Sequence, residues 1–166
     1  MKIAINDANI LIDCCDIGLI PALIQLDFEL HTTDFVMNEI QNQEQLEILI
    51  EIISIKKLIV NDFDTSALLK IIERSQKFPK LSIEDCSVLH LAEAKGAILL
   101  TGDGALRRTA SKSDIEVHGI LWILDMMVLQ NIMTKTVAFQ KLQILMEMNP
   151  RLPQKACEDR LKDWKI

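Results

Sequence analysis

Tyrosine is absent from this chain of 166 residues, and aromatics of every kind make up only 4%. The core must therefore be built from Ile, Leu, Val, Ala and Met, within an apolar fraction of 49%. Trp122 and Trp164 are too isolated to form a base-stacking platform. The four cysteines include no Cys-x-x-Cys, so neither a zinc site nor a redox pair is indicated, and buried thiols are the default. His31, His90 and His118 have no metal-ligand spacing. Gly102 and Gly104 lack the Gly-Lys-Ser/Thr of a phosphate loop, and no Gly-x-Ser-x-Gly marks an acyl-transfer serine.

Long apolar runs are missing too. Nothing approaches the roughly 18 residues of a membrane span. The N-terminal MKIAINDANILID carries one early lysine and meets Asp7 too soon for a signal peptide. The expected location is the cytoplasm, with no membrane partner. Positive charge is in deficit as well: the formal net charge is −6. That argues against a general nucleic-acid coat protein, which usually carries a basic face. It leaves room for a nuclease whose acids are concentrated in a metal site.

What is present is an alternation of short apolar strands and helices. Strands are expected at 2–6, 28–32, 58–61, 97–101 and 115–118. Between them lie a helical stretch over 8–26 broken at Gly18 and Pro21, a helix capped by Asp34 and running to Glu39, and helical segments at 44–53 and 65–77. Ser82 caps a helix over 83–95, with Gly96 past its end, and a short basic helix covers 105–111. From Ile120 onward the pattern is helical. Strands alternating with helices require crossovers and hence an α/β fold with a mainly parallel sheet. No linker or repeat divides the chain, so 1–166 reads as one domain, with a core over about 1–130 and a helical C-terminal extension over about 131–166.

Four acids stand out by position. Ligands of an open parallel sheet bind beyond the carboxyl ends of its strands, and Asp7 and Asp103 directly follow the first and fourth strands. Asp85 shares a helical stripe with Val88, Leu89 and Ala92, and Glu39 lies three and four residues from Val36 and Phe35. Both are expected to face the sheet. Each acid alone has an ordinary reading: Asp85 a first-turn residue, Glu39 a partly exposed helix residue, Asp7 and Asp103 turn residues. An ionised carboxylate in a poorly solvated place is costly unless a cation or donor meets it, and crowded carboxylates raise one another's pKa, so together the four suggest a cluster that a divalent cation would relieve. An all-oxygen donor set suits Mg²⁺ or Mn²⁺. Such an ion is equipped for phosphodiester hydrolysis. Arg107, Arg108 and Lys112 follow closely enough to meet a phosphate backbone, or they form a solvated helix face.

INDANILID, DFVMNEI and LSIEDCSVLHLAEAKGAILLTGDGALRRTA together resemble the PIN-domain ribonucleases. The resemblance spans roughly Lys2 to Ala110. It implies a PIN-like three-layer α/β/α fold around a five-stranded sheet in the order 3-2-1-4-5. It also implies an acidic metal site of Asp7, Glu39, Asp85 and Asp103, with Asn9 and Thr101 orienting carboxylates or water. Many small members are toxins of toxin–antitoxin pairs (the VapC type), which implies an RNA substrate, a cognate antitoxin and a homodimer. Two departures are visible. Gly104 stands where the family often has a further acidic or polar residue, and the helical tail, with HGILWILDMM, is longer than in the smallest toxins. Two rivals remain: a PIN-like module that binds RNA or protein without cutting, and an Asp-nucleophile phosphatase built on Asp7-x-Asn9. The second lacks the expected acid at position 9.

Overall fold

The computed structural model describes residues 1–165. Five strands, β1 (Lys2–Asn6), β2 (Phe28–Thr33), β3 (Leu58–Asn61), β4 (Ile98–Leu100) and β5 (Val117–His118), form one sheet in the order β3-β2-β1-β4-β5. Every pairing is parallel. The sheet is thus wholly rather than mainly parallel, because every strand-to-strand connection crosses over through a helix. Ala4 and Ile5, adjacent on β1, are both fully buried. Successive strand residues point to opposite faces, so the central strand is covered on both sides. This is the physical basis of an α/β/α sandwich.

The helices are α1 (Ala8–Asp16), α2 (Ile20–Leu23), α3 (Asp34–Glu39), α4 (Gln43–Ser54), α5 (Thr65–Lys77), α6 (Ile83–Lys95) and α7 (Gly104–Lys112). Beyond β5 come α8 (Ile120–Leu129), α9 (Lys135–Met148) and α10 (Gln154–Trp164). Gly18, at φ 65°, ends the turn after α1, where any Cβ would be strained. Gly96 closes α6 in the left-handed conformation, at φ 59°. One helix start differs from expectation: Thr33, not Asp34, caps α3, its hydroxyl accepting from the Val36 N–H at 3.1 Å. The fourth and fifth strands are shorter than expected, at Ile98–Leu100 and Val117–His118, although the Thr101 N–H still donates to His118 O at 2.9 Å.

The helices after β5 share the core of the sheet layers. Ala138, Leu142, Leu145, Cys157 and Trp164 are buried within the same apolar cluster. Arg160 grips Asp125 of α8 with two hydrogen bonds, of 2.9 and 2.6 Å. Among the described residues, no helix is long and apolar enough to cross a membrane.

Candidate active site

β1 and β4 are neighbours, with Asn6 opposite Leu100. Each strand therefore delivers its next residues to the same edge of the sheet. The Asp7 N–H still donates to Leu100 O at 3.0 Å, so Asp7 is held by the ladder as well as by its turn. Asp7 caps α1: Oδ1 accepts from the Ala8 N–H at 2.8 Å. Its other oxygen, Oδ2, accepts from Thr101 Oγ1 at 2.7 Å and from Asn9 Nδ2 at 2.6 Å. Asn9 Oδ1 in turn accepts from the Gly102 N–H at 2.7 Å, and Thr101 Oγ1 accepts from the Asp103 N–H at 3.0 Å. This lattice ties the end of β1 to the turn after β4.

Burial dominates the chemistry of Asp7. The residue is 3% exposed. Desolvation pushes its carboxyl up to about 6, the Asp85 charge adds to the rise, and the bonds from Thr101, Ala8 and Asn9 oppose it. Asp103 caps α7, with Oδ1 accepting from the Leu106 N–H at 2.7 Å. Asp85 completes a capping box with Ser82: its N–H donates to Ser82 Oγ, and its Oδ2 accepts from the Ser82 N–H at 2.8 Å. The ordinary role of Asp85 as a capping residue is therefore real. Its carboxyl is nonetheless raised, first by burial, against the Ser82 bonds, and then by the charges of Asp103 and Glu84.

Glu39 needs a correction. It was expected to face the sheet, and it is exposed. The reason is the shortness of α3, which ends at Glu39 and buries only Val36. The carboxyl nevertheless stands at the rim of the acid group. Partial desolvation, then the charges of Asp7, Glu84 and Asp85, push it up to about 7. Asp7, Glu39, Asp85 and Asp103 thus form one connected set of mutual repulsions. None of the four makes an ion pair among the described residues.

Glu84 is not among the four acids that stand out in the sequence, and it points about 100° from Asp85 around α6. Its charge bears on both Glu39 and Asp85. Its place beside Asp85 in the first turn of α6 was the available signal. Thr33 and Ser87 were missed as well. Both are fully buried, and their hydroxyls lie 2.9 Å apart. Ser87 Oγ donates to Glu84 O at 2.7 Å, so the proton between the two hydroxyls is supplied by Thr33. This contact docks the start of α3 onto α6. No local pattern announces it.

Of the three cations singled out from the sequence, Arg107 is half-buried and donates from Nη1 to Thr101 O at 3.1 Å, so it supports the β4 turn. Arg108 and Lys112 are exposed on α7. The Arg108 Nη1 lies 3.2 Å from where a Cβ on Gly104 would sit. The guanidinium therefore folds back over the start of α7 into space that a side chain at 104 would take.

The donor set is all oxygen. Asp7 Oδ2 is committed to Thr101 and Asn9, while Asp85 and Asp103 each use one oxygen for capping. Among the described residues no three His, Cys, Asp or Glu side chains stand close enough to form a ready-made metal cage. A hard ion such as Mg²⁺ commonly keeps several waters and takes one or two carboxylates directly. The remaining free oxygens and the unrelieved repulsion fit that mode of binding.

A solved structure shares the fold. VapBC-1 from nontypeable Haemophilus influenzae superposes with a TM-score of 0.50 at 19% identity, covering 71% of this chain and 98% of the other. VapBC2 from Rickettsia felis, bound to a DNA fragment from their promoter, gives 0.49 at 14% identity over 71% and 98% of the two chains. No curated protein sequence matches. A PIN domain model (DUF3368) matches residues 3–165, and the chain belongs to that family.

Proposed function

We propose that this chain is a divalent-metal-dependent ribonuclease that hydrolyses RNA phosphodiester bonds, and that it serves as the toxin of a type II toxin–antitoxin pair. One observation carries the reading: four carboxylates from separate stretches repel one another, and none of them forms an ion pair with a cationic side chain among the described residues. Asp7 and Asp103 are the direct ligands in this reading, and Asp85 and Glu39 hold the ion directly or through water. When bound, Mg²⁺ or Mn²⁺ supplies Lewis acidity, lowering the pKa of water and offsetting charge on the phosphate.

The chain's own residues have distinct tasks. Thr101 and Asn9 orient Asp7 through its Oδ2. Glu39, with a carboxyl near 7 and no hydrogen-bond partner among the described residues, suits proton acceptance from the attacking water. Arg108 and Lys112 meet phosphates from the exposed face of α7, and Arg107 steadies the turn that carries Asp103. Gly104 leaves the Arg108 guanidinium free to turn toward substrate.

The test is cleavage of single-stranded RNA with Mg²⁺ or Mn²⁺, with and without a chelator, in the parent and in Asp7→Asn. Metal-dependent cleavage that Asp7→Asn abolishes is expected; equal activity of the two overturns the reading. The toxin role rests on family membership. A short neighbouring reading frame encoding a DNA-binding protein that blocks cleavage supports it. The homodimer is tested by light scattering in solution. The rival reading, a silent PIN-like binding module, predicts RNA or protein binding without specific Mn²⁺ uptake in calorimetry.

A further inference from the structure

The acid group repels the polyanion it is proposed to cut, so the flank of an RNA strand needs cationic surface elsewhere. The chain offers little, with a net charge of −6. A cleft of about 660 Å³ opens between α5, α6 and α7. Its α5 wall presents Lys70, Arg74 and Lys77, spaced four and three residues apart and so on one helix face. Phe78 and His90 also line it, as do Thr109 of α7 and Ser113 just past its end.

Two carboxylates, Glu73 and Glu93, share the cleft. Glu93 is already held by Arg74 Nη2 at 2.6 Å. The other terminal nitrogen of Arg74, Nη1, is buried and has no acceptor among the described residues. An unpartnered guanidinium nitrogen is costly to bury, and a turn of the side chain into the cleft would let a phosphate oxygen accept from it. Lys70, Arg74 and Lys77 outnumber the two carboxylates of the cleft, and burial, then the Arg74 and Lys70 charges against those of Glu93 and Asp64, depresses the His90 imidazole. The Lys77 ammonium lies 5.6 Å from the centre of the Phe78 ring, so that ring holds the cation at the cleft.

The cleft is also aligned with the acids. Both α6 and α7 begin at the acid group, with Asp85 and Asp103, and run to the cleft. From Asp85 to Glu93 is eight residues, about 12 Å at the helical rise. That is about three to four nucleotides of a stacked strand at 3.4 Å each. Arg108 lies on α7 between Asp103 and the cleft residue Thr109.

We propose that the cleft between α5, α6 and α7 is a subsite for the phosphate backbone of single-stranded RNA, holding the strand about three to four nucleotides from the scissile bond. The inference rests on the ribonuclease reading for its substrate class. It does not depend on cleavage for its test.

The test uses full-length protein carrying Asp103→Asn, which keeps the α7 cap and prevents turnover. Fluorescence anisotropy of a labelled 12-nucleotide single-stranded RNA is followed across a salt series with Mn²⁺ present. Lys70→Ala/Lys77→Ala is added in one protein and Lys155→Ala/Lys162→Ala, exposed on α10, in another. Arg74 is left in place because its bond to Glu93 ties α5 to α6. The cleft variant is expected to lose roughly tenfold in affinity, and its log–log salt slope should shrink by about 1.4, near 0.7 per lost contact. The α10 variant should stay within about twofold. RNA trimmed to two nucleotides on each side of the scissile bond should no longer distinguish the cleft variant.

An unchanged slope and affinity in the cleft variant overturns the subsite, even if the parent cleaves RNA. The expected slope change in a protein whose parent never cleaves keeps the subsite and removes the nuclease reading. Competition by a polyglutamate peptide as strong as that by RNA assigns the cleft to an acidic protein partner and overturns the proposal.

Discussion

Thr101 Oγ1 donates to Asp7 Oδ2 at 2.7 Å and accepts from the Asp103 N–H at 3.0 Å. One hydroxyl therefore couples two acids that lie on neighbouring strand ends. Thr101→Val removes both bonds and leaves a buried carboxyl with one fewer donor. The expected loss is about 1–3 kcal/mol in denaturant unfolding, with the Asp7 carboxyl rising further above about 6. Thr101→Ser should restore both. An unchanged Asp7 titration by NMR in Thr101→Val would show that the bond does not govern that acid.

The raised acids make the metal-free protein less stable as pH rises. A carboxyl whose folded pKa exceeds its unfolded one binds more protons when folded, so stability falls from the unfolded pKa through the folded one. For Asp7 that window runs from 3.8 to about 6, and for Glu39 from 4.5 to about 7. The Asp7 shift corresponds to about 3 kcal/mol. Glu39→Gln, at an exposed position with solvent screening, should stabilise the metal-free protein by about 0.5–1 kcal/mol at pH 8 and by nothing at pH 4. Thermal melts across that range check the sign. A stabilisation that grows on acidification contradicts it.

Divalent ions should reverse this penalty. Mn²⁺ at about 100 times its Kd is expected to stabilise the parent by about 2.7 kcal/mol. The gain should vanish in Asp7→Asn and diminish as the pH falls through about 6, where the Asp7 carboxyl takes up its proton. Calorimetric melts with Mn²⁺ and with Ca²⁺ or a chelator make the comparison. A gain of equal size in Asp7→Asn would locate the bound ion elsewhere.

The buried pair Thr33–Ser87 predicts an effect at a distance. Thr33→Val removes the α3 cap together with the link to α6, at a cost of about 1–3 kcal/mol. Glu39, at the far end of the same short helix, then loses its position, and Mn²⁺ affinity should fall several-fold. Thr33→Ser should recover both quantities. Recovery of stability without recovery of affinity would separate the cap from the docking role.

The one-domain reading predicts one cooperative unfolding transition that includes the tail. Trp164 is 4% exposed and belongs to the common core, so Trp164→Ala should cost about 3–5 kcal/mol. Fluorescence of Trp122 and backbone circular dichroism should follow the same curve. Two separated transitions would make the C-terminal helices an independent unit.

Much of the architecture is local and was legible. Ser82 and Gly96 bracket α6 by capping chemistry, and the run of Leu99 and Leu100 is what a strand covered on both faces requires. Asp7 and Asp103 were placed at strand ends by counting along the chain. Strand ends at 101 and 115, and the identity of the α3 cap, were less legible, since a single residue decides them.

The amino-acid order by itself determined where strands and helices form and which acids stand at strand ends. These properties depend on side-chain periodicity and on bonds reaching two to four residues. Only the tertiary structure decided that Glu39 remains exposed, that Glu84 bears on the acid group, that Arg107 supports a turn, and that Thr33 meets Ser87 across 54 positions. Each depends on the length and packing of helices from distant stretches, and no pattern within one stretch encodes the distance to another.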